Sequence, residues 1–252
     1  MKGRVVAFLS AVLLSTSSAV AQPPSDRPQF ALGIAAISSP EPYEGADADI
    51  LVVPAVSFSY KRFYFRGIVA GYRLWESGEL SADLIARARA RFGGYDEDDS
   101  PALEGMESRR KSADGGIELQ WERERLLGVR LTPTTDLLDR SGGQQVTLDV
   151  YSPWRFGPVR VEPGVGVEWQ SEDLVNYYYG VRPEEARPGR PAFEPGSAVN
   201  LTAGVFVFTP VSRRLLLQTF LRYERLDSDI EESPIVDEGG ALTAFAALSY
   251  AF

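Results

Sequence analysis

Cysteine and histidine are both absent from this chain of 252 residues. Without cysteine, neither disulfides nor thiolate metal ligands are available. Without histidine, the Ser-His-Asp triad, the Cys-His pair and the histidine-ligated metal site are excluded together. A glycosidase needs only two carboxylates, but Glu162 and Glu168 are separated by about 20 Å along a strand, which is too far for that chemistry. We therefore expect no catalytic residues, no cofactor and no metal site.

Long hydrophobic runs are lacking too. After residue 21 no apolar run approaches the roughly 20 residues that a membrane-spanning helix requires. The short apolar run Val5–Leu14 follows two basic residues and precedes Ala19-Val20-Ala21, which is the pattern of a secretory signal and its cleavage site. We predict a cleaved signal peptide over residues 1–21 and a single domain over residues 22–252. An N-terminal anchor helix is the alternative, and the shortness of the run disfavours it.

Basic residues are outnumbered by acidic ones, 26 against 35, so the net charge is −9. An acidic exported protein has no electrostatic reason to bind nucleic acid, so we expect no nucleic-acid partner. A protein of this size without disulfides needs another framework to hold its chain. Closing a β-sheet into a barrel provides one, because closure pairs every strand edge.

What the sequence does contain is strict alternation of apolar and polar residues. In the segment Val159–Gln170, valine, proline and tryptophan occupy the odd positions, whereas arginine, glutamate, glycine and glutamine occupy the even positions. A helix would scatter both sets around its axis, so a strand is predicted. Segments of about ten residues that are apolar toward lipid and polar toward the lumen are typical of transmembrane β-barrels.

The alternation recurs along the chain. It is clear in Leu80–Phe92, Val199–Val207, Leu215–Glu224 and Ala241–Phe252, and weaker in Phe30–Ile37 and several other segments. The segment Arg62–Leu74 is predicted as one strand. Aromatic residues cluster at segment ends, and we expect them, including Phe206 and Phe208, in the girdles at the two membrane interfaces. The long polar connections between segments are expected to be surface loops. Their acidic run Asp96–Asp99 is interpreted as solvated, with a divalent-cation site as the alternative.

The final segment ends on Phe252, and a terminal aromatic residue on an alternating strand resembles the signal that the barrel assembly machinery of the bacterial outer membrane recognises. We therefore predict an all-β protein, an antiparallel transmembrane β-barrel, in contact with outer-membrane lipid and lipopolysaccharide. A soluble periplasmic β-sandwich is the alternative. The segments are odd in number, whereas bacterial single-chain barrels have even numbers of strands. We predict twelve strands, with ten as the alternative, and either a strand is hidden in the first hundred residues or Phe30–Ile37 does not span.

The same alternation places charges of both signs inside the barrel in equal numbers. In a narrow lumen such charges should pair, which favours a plugged barrel over a wide channel. An anion-selective constriction at the arginines spaced two residues apart in Leu80–Phe92 is the alternative. The predicted lumenal charges are Asp83, Arg87, Arg89, Arg91, Glu118, Arg130, Asp149, Arg160, Glu162, Glu168, Arg222 and Glu224.

Several short blocks, in order along the chain, resemble the MipA/OmpV family of outer-membrane proteins. They are Pro42-Tyr43-Glu44-Gly45-Ala46, Leu103-Glu104-Gly105-Met106, Tyr178-Tyr179-Gly180-Val181 and Ser233-Pro234-Ile235-Val236. Ala46 replaces the serine usual in the family. The resemblance implies a non-catalytic scaffold that links a murein hydrolase to a murein synthase at the outer membrane, with a small-solute pore as the alternative. We expect Tyr43, Gly45, Tyr178, Tyr179, Gly180, Ser233 and Pro234 to build loop structure over the barrel mouth, with ligand recognition as the alternative.

Overall fold

The structure, a computed structural model, describes residues 27–38, 43–45, 50–89, 94–123 and 126–252. The predicted signal peptide, Pro42, Ala46 and Arg91 lie outside these ranges. Within the described ranges, no helix has the length and hydropathy needed to cross a membrane.

A single antiparallel sheet forms the body of the molecule, and its last strand pairs with its first. The register of this closing pair runs from Ala31 opposite Ala251 to Ser38 opposite Ala244. The segments of the sheet are β1 (Gln29–Ser38), β2 (Ile50–Tyr60), β3 (Phe63–Arg66), β4 (Val69–Ser77), β5 (Leu80–Ala88), β6 (Ala113–Arg123), β7 (Leu127–Asp136), β8 (Gln144–Tyr151), β9 (Trp154–Phe156), β10 (Val159–Gln170), β11 (Ala198–Pro210), β12 (Leu215–Arg225) and β13 (Gly240–Ala251).

The barrel has twelve strands, as predicted. Both β8 and β9 pair with β10, so these two short segments occupy one position in the wall. The hidden strand lies within the segment 62–74, where the sequence predicts one continuous strand. The structure instead has β3 and β4 joined by a turn at Gly67, whose φ of 60° is a conformation that glycine adopts readily. With this extra strand, Phe30–Ile37 belongs to the wall strand β1 and runs in the required direction.

The connections differ greatly in length at the two ends of the barrel. One end carries the long connections, with helix α1 (Glu172–Tyr179), helix α2 (Ser228–Glu231) and two short 3-10 turns. The other end carries only short turns between consecutive strands. Short turns face the periplasm and longer loops face outward in barrels of this type. We therefore call the two ends extracellular and periplasmic, respectively.

The two faces of the wall follow the predicted alternation. On β10, Val165 is 61% exposed on the outer face, whereas Glu162 and Glu168 are buried inside. On β5, Leu84 faces outward and its neighbour Asp83 is buried in the lumen. Hydrocarbon solvates the outer set without cost, and the inner set must find partners within the barrel.

Barrel closure predicts an outcome for one substitution on β1. A Cβ at Gly33 would overlap the backbone carbonyl of Leu248 on β13, and a backbone contact cannot rotate away. We expect Gly33→Val to lose most of the folded form that resists SDS until it is heated, measured as the heat-dependent shift in gel mobility. Ala36→Val, on the outer face of the same strand, should keep that shift; equal behaviour of the two variants would contradict the observed closure.

Candidate functional site

Charged side chains fill one part of the lumen, mainly between β4 and β12, and most of them are paired. Near the periplasmic side, Asp83 accepts a hydrogen bond from the Tyr64 hydroxyl at 2.9 Å and forms an ion pair with Arg73. Farther up, Arg87 and Arg89 both bind Asp114, with Nε to carboxylate distances of 3.4 and 2.9 Å. Of the three arginines proposed as an anion constriction, Arg87 and Arg89 therefore share a carboxylate, and Arg91 lies outside the described residues.

A second group of charges lies between β6, β7, β8 and β10. Arg130 lies 3.7 Å from Glu118 and 3.9 Å from Asp149. Arg160 forms ion pairs with Glu162 and with Glu122, the latter at 2.8 Å. Charged groups that are removed from water together must form ion pairs with one another, because an unpaired buried charge is costly.

The third group lies between β10, β11 and β12. Arg222 is 3.8 Å from Glu168, which also accepts a hydrogen bond from Gln170 at 2.8 Å. Glu224 accepts a hydrogen bond from the Asn200 amide at 2.8 Å. Each predicted lumenal charge that falls within the described residues therefore lies in the barrel and has a polar partner there.

Sequence reasoning missed three partners in this network, namely Arg73, Asp114 and Glu122. All three occupy inward positions in the same alternation as the residues that were predicted. Following the inward face of β6 for four residues in each direction from Glu118 would have found Asp114 and Glu122. Arg73 was hidden because the segment containing it was interpreted as one strand rather than two.

Two glycines allow tyrosines to reach this network. A Cβ at Gly71 would overlap the ring of Tyr64, and a Cβ at Gly128 would overlap the ring of Tyr151. Each tyrosine therefore lies flat over a glycine of the neighbouring strand, and its hydroxyl reaches a carboxylate. Tyr151 donates to Glu122 at 2.8 Å, as Tyr64 does to Asp83. In both cases the small residue is needed for the close approach of the ring.

The remaining part of the lumen is apolar, which the sequence interpretation did not anticipate. Phe206 and Phe208 were expected in the interfacial girdles, and that expectation is wrong. Both rings point inward, where Phe206 stacks on Phe220 with a centroid distance of 4.2 Å and Phe208 is buried. Their even-numbered positions on β11 share the inward face with Asn200, so strand alternation overrides their aromatic character. The cluster continues through Ile37, Val53 and Phe245.

The extracellular end of the barrel is covered by a separate hydrophobic core built from the long connections, which we call the cap. At its centre, Tyr43 packs edge-on against Tyr95 with a centroid distance of 5.0 Å. Helix α1 contributes four buried side chains. The buried residues of the cap are Tyr43, Tyr95, Leu103, Met106, Leu174, Val175, Tyr178, Tyr179, Val181, Ala198, Leu226, Ile230 and Ile235.

A buried ion pair joins two connections of the cap. The Arg109 guanidinium donates to both Glu185 oxygens, at 3.0 and 2.9 Å, in a two-pronged contact. The backbone amides of Glu107 and Arg182 donate to the same carboxylate, each at 3.0 Å. Burial opposes ionisation, yet these donors hold the pKa of Glu185 below its ordinary value.

The cap also contacts the charged lumen. Tyr178 on α1 lies within electrostatic range of Arg89 and Asp114, at the top of the network. Burial raises the pKa of Tyr178, so its phenol stays protonated. Burial likewise raises the pKa of Tyr95 to about 12. The extracellular mouth is thus closed by packed, neutral tyrosines above paired charges.

The predicted motif residues converge in this cap. Tyr43 donates to the backbone carbonyl of Tyr178 at 3.4 Å, and Ser233 donates to that of Tyr179 at 2.6 Å. Gly45 has a φ of 75°, a conformation that favours glycine, and lies against Pro101. A Cβ at Gly180 would overlap Asn176 of α1. Pro234 connects Ser233 to the buried Ile235, and the Ile235 carbonyl accepts from the amide of Glu44 at 3.1 Å.

The acidic run beside the cap makes turn hydrogen bonds. The Asp99 carboxylate accepts from the amide of Asp96 at 2.8 Å, and the Glu97 carboxylate accepts from the amide of Gly105 at 3.1 Å. Within the described part of the chain, no group of three or more acidic side chains is arranged to hold a metal ion.

A closed, even-numbered antiparallel barrel with an apolar outer band, a polar lumen and one end of long loops defines an outer-membrane β-barrel protein. Within that class, residues 32–252 match the family model described as MltA-interacting protein MipA. The chain belongs to this family.

Individual relatives agree with that assignment. The chain is 28% identical to the MltA-interacting protein of Escherichia coli K12, over 96% of each chain. It is 26% identical to the putative outer membrane protein YiaT of the same organism, over 89% of this chain and 91% of the relative. It is also 29% identical to the outer membrane protein OmpV of Vibrio cholerae, over 63% of this chain and 61% of the relative.

The cap ion pair predicts a dependence on pH. Because the pKa of Glu185 is lower in the folded protein, its stabilising effect is complete at neutral pH. That effect is lost as the pH falls below the ordinary value of 4.5 and through the folded value. We expect the extracellular loops to become sensitive to pepsin as the pH falls through this range. Glu185→Gln should weaken the cap by about 1.5–3 kcal/mol at neutral pH and flatten the pH profile of loop proteolysis.

Glu194→Gln is the matched control, because Glu194 is exposed on the same connection. It should retain the wild-type pH profile. If the Glu185→Gln protein is also cleaved with the wild-type pH profile, the ion pair does not hold the cap.

Proposed function

We propose that this protein is a non-catalytic scaffold of the outer membrane that binds a murein-cleaving enzyme and, through it, a murein synthase. The observation that supports this most directly is similarity over 96% of both chains to a protein named for its interaction with MltA. Because the similarity covers nearly all of both proteins, the same role would need no domain beyond the part that they share. The absence of cysteine and histidine agrees with a role in binding rather than in catalysis.

The interior of the barrel favours this proposal over a solute pore. The cap covers the extracellular mouth with a core of tyrosine and aliphatic side chains. Beneath it, Arg87 and Arg89 are bound to Asp114 rather than presented to a passing anion. Opening a path would require the loss of both the cap packing and a desolvated ion-pair network, which is costly.

The periplasmic end offers the surface for a murein enzyme, because such an enzyme works in the periplasm. The turns at this end carry six exposed basic side chains: Lys61, Arg62, Arg123, Arg155, Arg213 and Arg214. Of these, Arg123 has a carboxylate nearby, Glu79 at 3.8 Å. The rest of the protein is acidic, so this end differs in sign from the remainder of the surface. We infer that the partner presents an acidic patch, which would also speed association.

The docking surface can be tested by reversing its charge. We expect the triple variant Lys61→Glu, Arg155→Glu and Arg213→Glu to reduce recovery of murein transglycosylase in crosslinked pull-downs from native membranes by about tenfold. The loss should shrink at high salt, where the attraction is already screened. Arg140→Glu reverses an exposed arginine at the extracellular end and should leave recovery unchanged. Failure of the wild-type protein to recover any murein enzyme would count against the scaffold itself.

The closed lumen can be tested by electrical recording. In planar bilayers we expect the purified protein to show no discrete conductance steps, because the cap and the paired arginines block the path. The Arg89→Glu variant should likewise show no anion-selective current. Stepwise anion-selective current in the wild-type protein that is lost in Arg89→Glu would instead establish the pore.

A further inference from the structure

The apolar part of the lumen contains a cavity that the scaffold role does not use. Its volume is about 590 Å³, which lies in the range of small-molecule binding sites. Along β1 its lining extends from Ala31 to Ile37, a length of about 20 Å at the rise of a β-strand. Across from β1, Phe245 and Ala247 of β13 complete a hydrophobic wall. The cavity is therefore elongated and apolar on the side that runs along the strands.

The wall beside this cavity is incomplete. Strand β3 has four residues, and its pairing with β2 begins at Ser57 opposite Arg66 and ends at Tyr60 opposite Phe63. On the extracellular side of Ser57, no described strand pairs with the edge of β2 that faces β3. The turn after β3 bonds to β2 once, from the Gly67 amide to the Val56 carbonyl at 2.9 Å. We call the gap in the wall beside this unpaired stretch of β2 the notch.

The sequence of β2 fits an edge at this place. The Val56 carbonyl points toward the notch. The backbone groups of Pro54 point the same way, because residues two apart on a strand face the same neighbour. Proline has no amide hydrogen, so one donor that would lack a strand partner is removed. Pro54, Val56, Gly67 and Ile68 all line the cavity as well as the notch. The cavity thus reaches the wall at a point where neighbouring lipid has lateral access to it.

Three arginines line the cavity, namely Arg66 and, in the exposed turn after β11, Arg213 and Arg214. Arg66 faces the lumen with its guanidinium 4.5 Å from the centroid of the Tyr64 ring. It lines both the apolar cavity and a second cavity at the periplasmic mouth. Unlike Arg73, Arg87, Arg89, Arg130 and Arg160, it has no ion pair with any carboxylate of the described residues. A partly buried guanidinium beside an apolar channel is complementary to an anionic head group on a hydrocarbon chain.

We propose that the lumen binds a single-chain anionic amphiphile, with its chain along β1 and β13 and its carboxylate or phosphate on Arg66. A fatty acid and a lysophospholipid share this chemistry, and both are present where a membrane lipid is hydrolysed. The notch is the route by which such a molecule enters from the bilayer. Arg213 and Arg214 of the periplasmic docking surface also line the cavity, but Arg66 and the wall along β1 and β13 belong to the lumen site alone. Photolabelling and enzyme pull-down therefore test the two assignments separately.

The test uses a photoactivatable diazirine analogue of palmitic acid in phosphatidylcholine vesicles that contain the folded, full-length barrel. We expect adducts on the inward residues Phe245 and Ala247 that saturate with unlabelled palmitate. Adducts on the outward residues Ala246 and Leu248 come from bulk lipid and should not saturate. Competition by lysophosphatidic acid in a parallel arm identifies which head group binds more tightly.

Variants separate the chain site from the head-group site. Ala35→Phe fills the cavity and should abolish the saturable adducts, whereas Ala36→Phe, its outward neighbour, should keep them. Arg66→Gln should raise the half-saturating palmitate concentration about tenfold, the change expected from loss of one charged hydrogen bond. It should leave competition by methyl palmitate unchanged, because the ester carries no charge. Arg62→Gln is the matched control for Arg66.

Heat-dependent gel mobility checks that each variant is folded. If Ala35→Phe fails this check, the labelling of Arg66→Gln tests the head-group contact on its own. Labelling confined to outward residues would overturn the proposal. Equal labelling of Ala35→Phe and Ala36→Phe in their folded forms would do the same.

Discussion

The pairing of β1 with β13 is the constraint on which the rest of the structure depends. In hydrocarbon there is no water to satisfy an exposed strand edge, so a spanning sheet must close on itself. Closure fixes the alternation of every strand relative to one lumen, and that lumen then determines which side chains need partners. It also explains why Gly33 lies opposite Ser249 on the closing pair, where a side chain would strike the neighbouring backbone.

Once the barrel is closed, its interior divides into two environments. Charges of both signs occupy one part, where tyrosines laid over glycines contribute hydroxyl donors to buried carboxylates. Aromatic and aliphatic residues occupy the other, next to the short strand β3. The short strand, the proline on the edge of β2 and the arginine without an ion pair fall at the same place. Three independent local features therefore mark one side of the wall as different from the rest.

The cap connects the family motifs to this interior. Tyr43, Tyr178, Tyr179 and Ser233 come from three separate connections, and each contacts another of them or its backbone. The Arg109–Glu185 pair ties one of these connections, between β10 and β11, to a fourth, between β5 and β6. A loop core of this kind explains why long, polar connections remain in one arrangement, and it separates the lumen from the extracellular medium. Both consequences favour a protein that presents surfaces over one that passes solutes.

Much of this protein was determined by its sequence alone. Alternation with a period of two fixes which face of a strand meets lipid, and so the strand β10, the outward valines and the lumenal charges were predicted residue by residue. The even strand number also followed, because a closed antiparallel barrel requires it. Other features depended on the tertiary structure. Alternation cannot show where a strand breaks into two, which is decided by the turn at Gly67, nor which inward residues meet across the lumen. The pairing of Arg87 and Arg89 with Asp114, the inward stacking of Phe206 and the convergence of the motif tyrosines arise from distant segments, and only closure of the barrel brings these together.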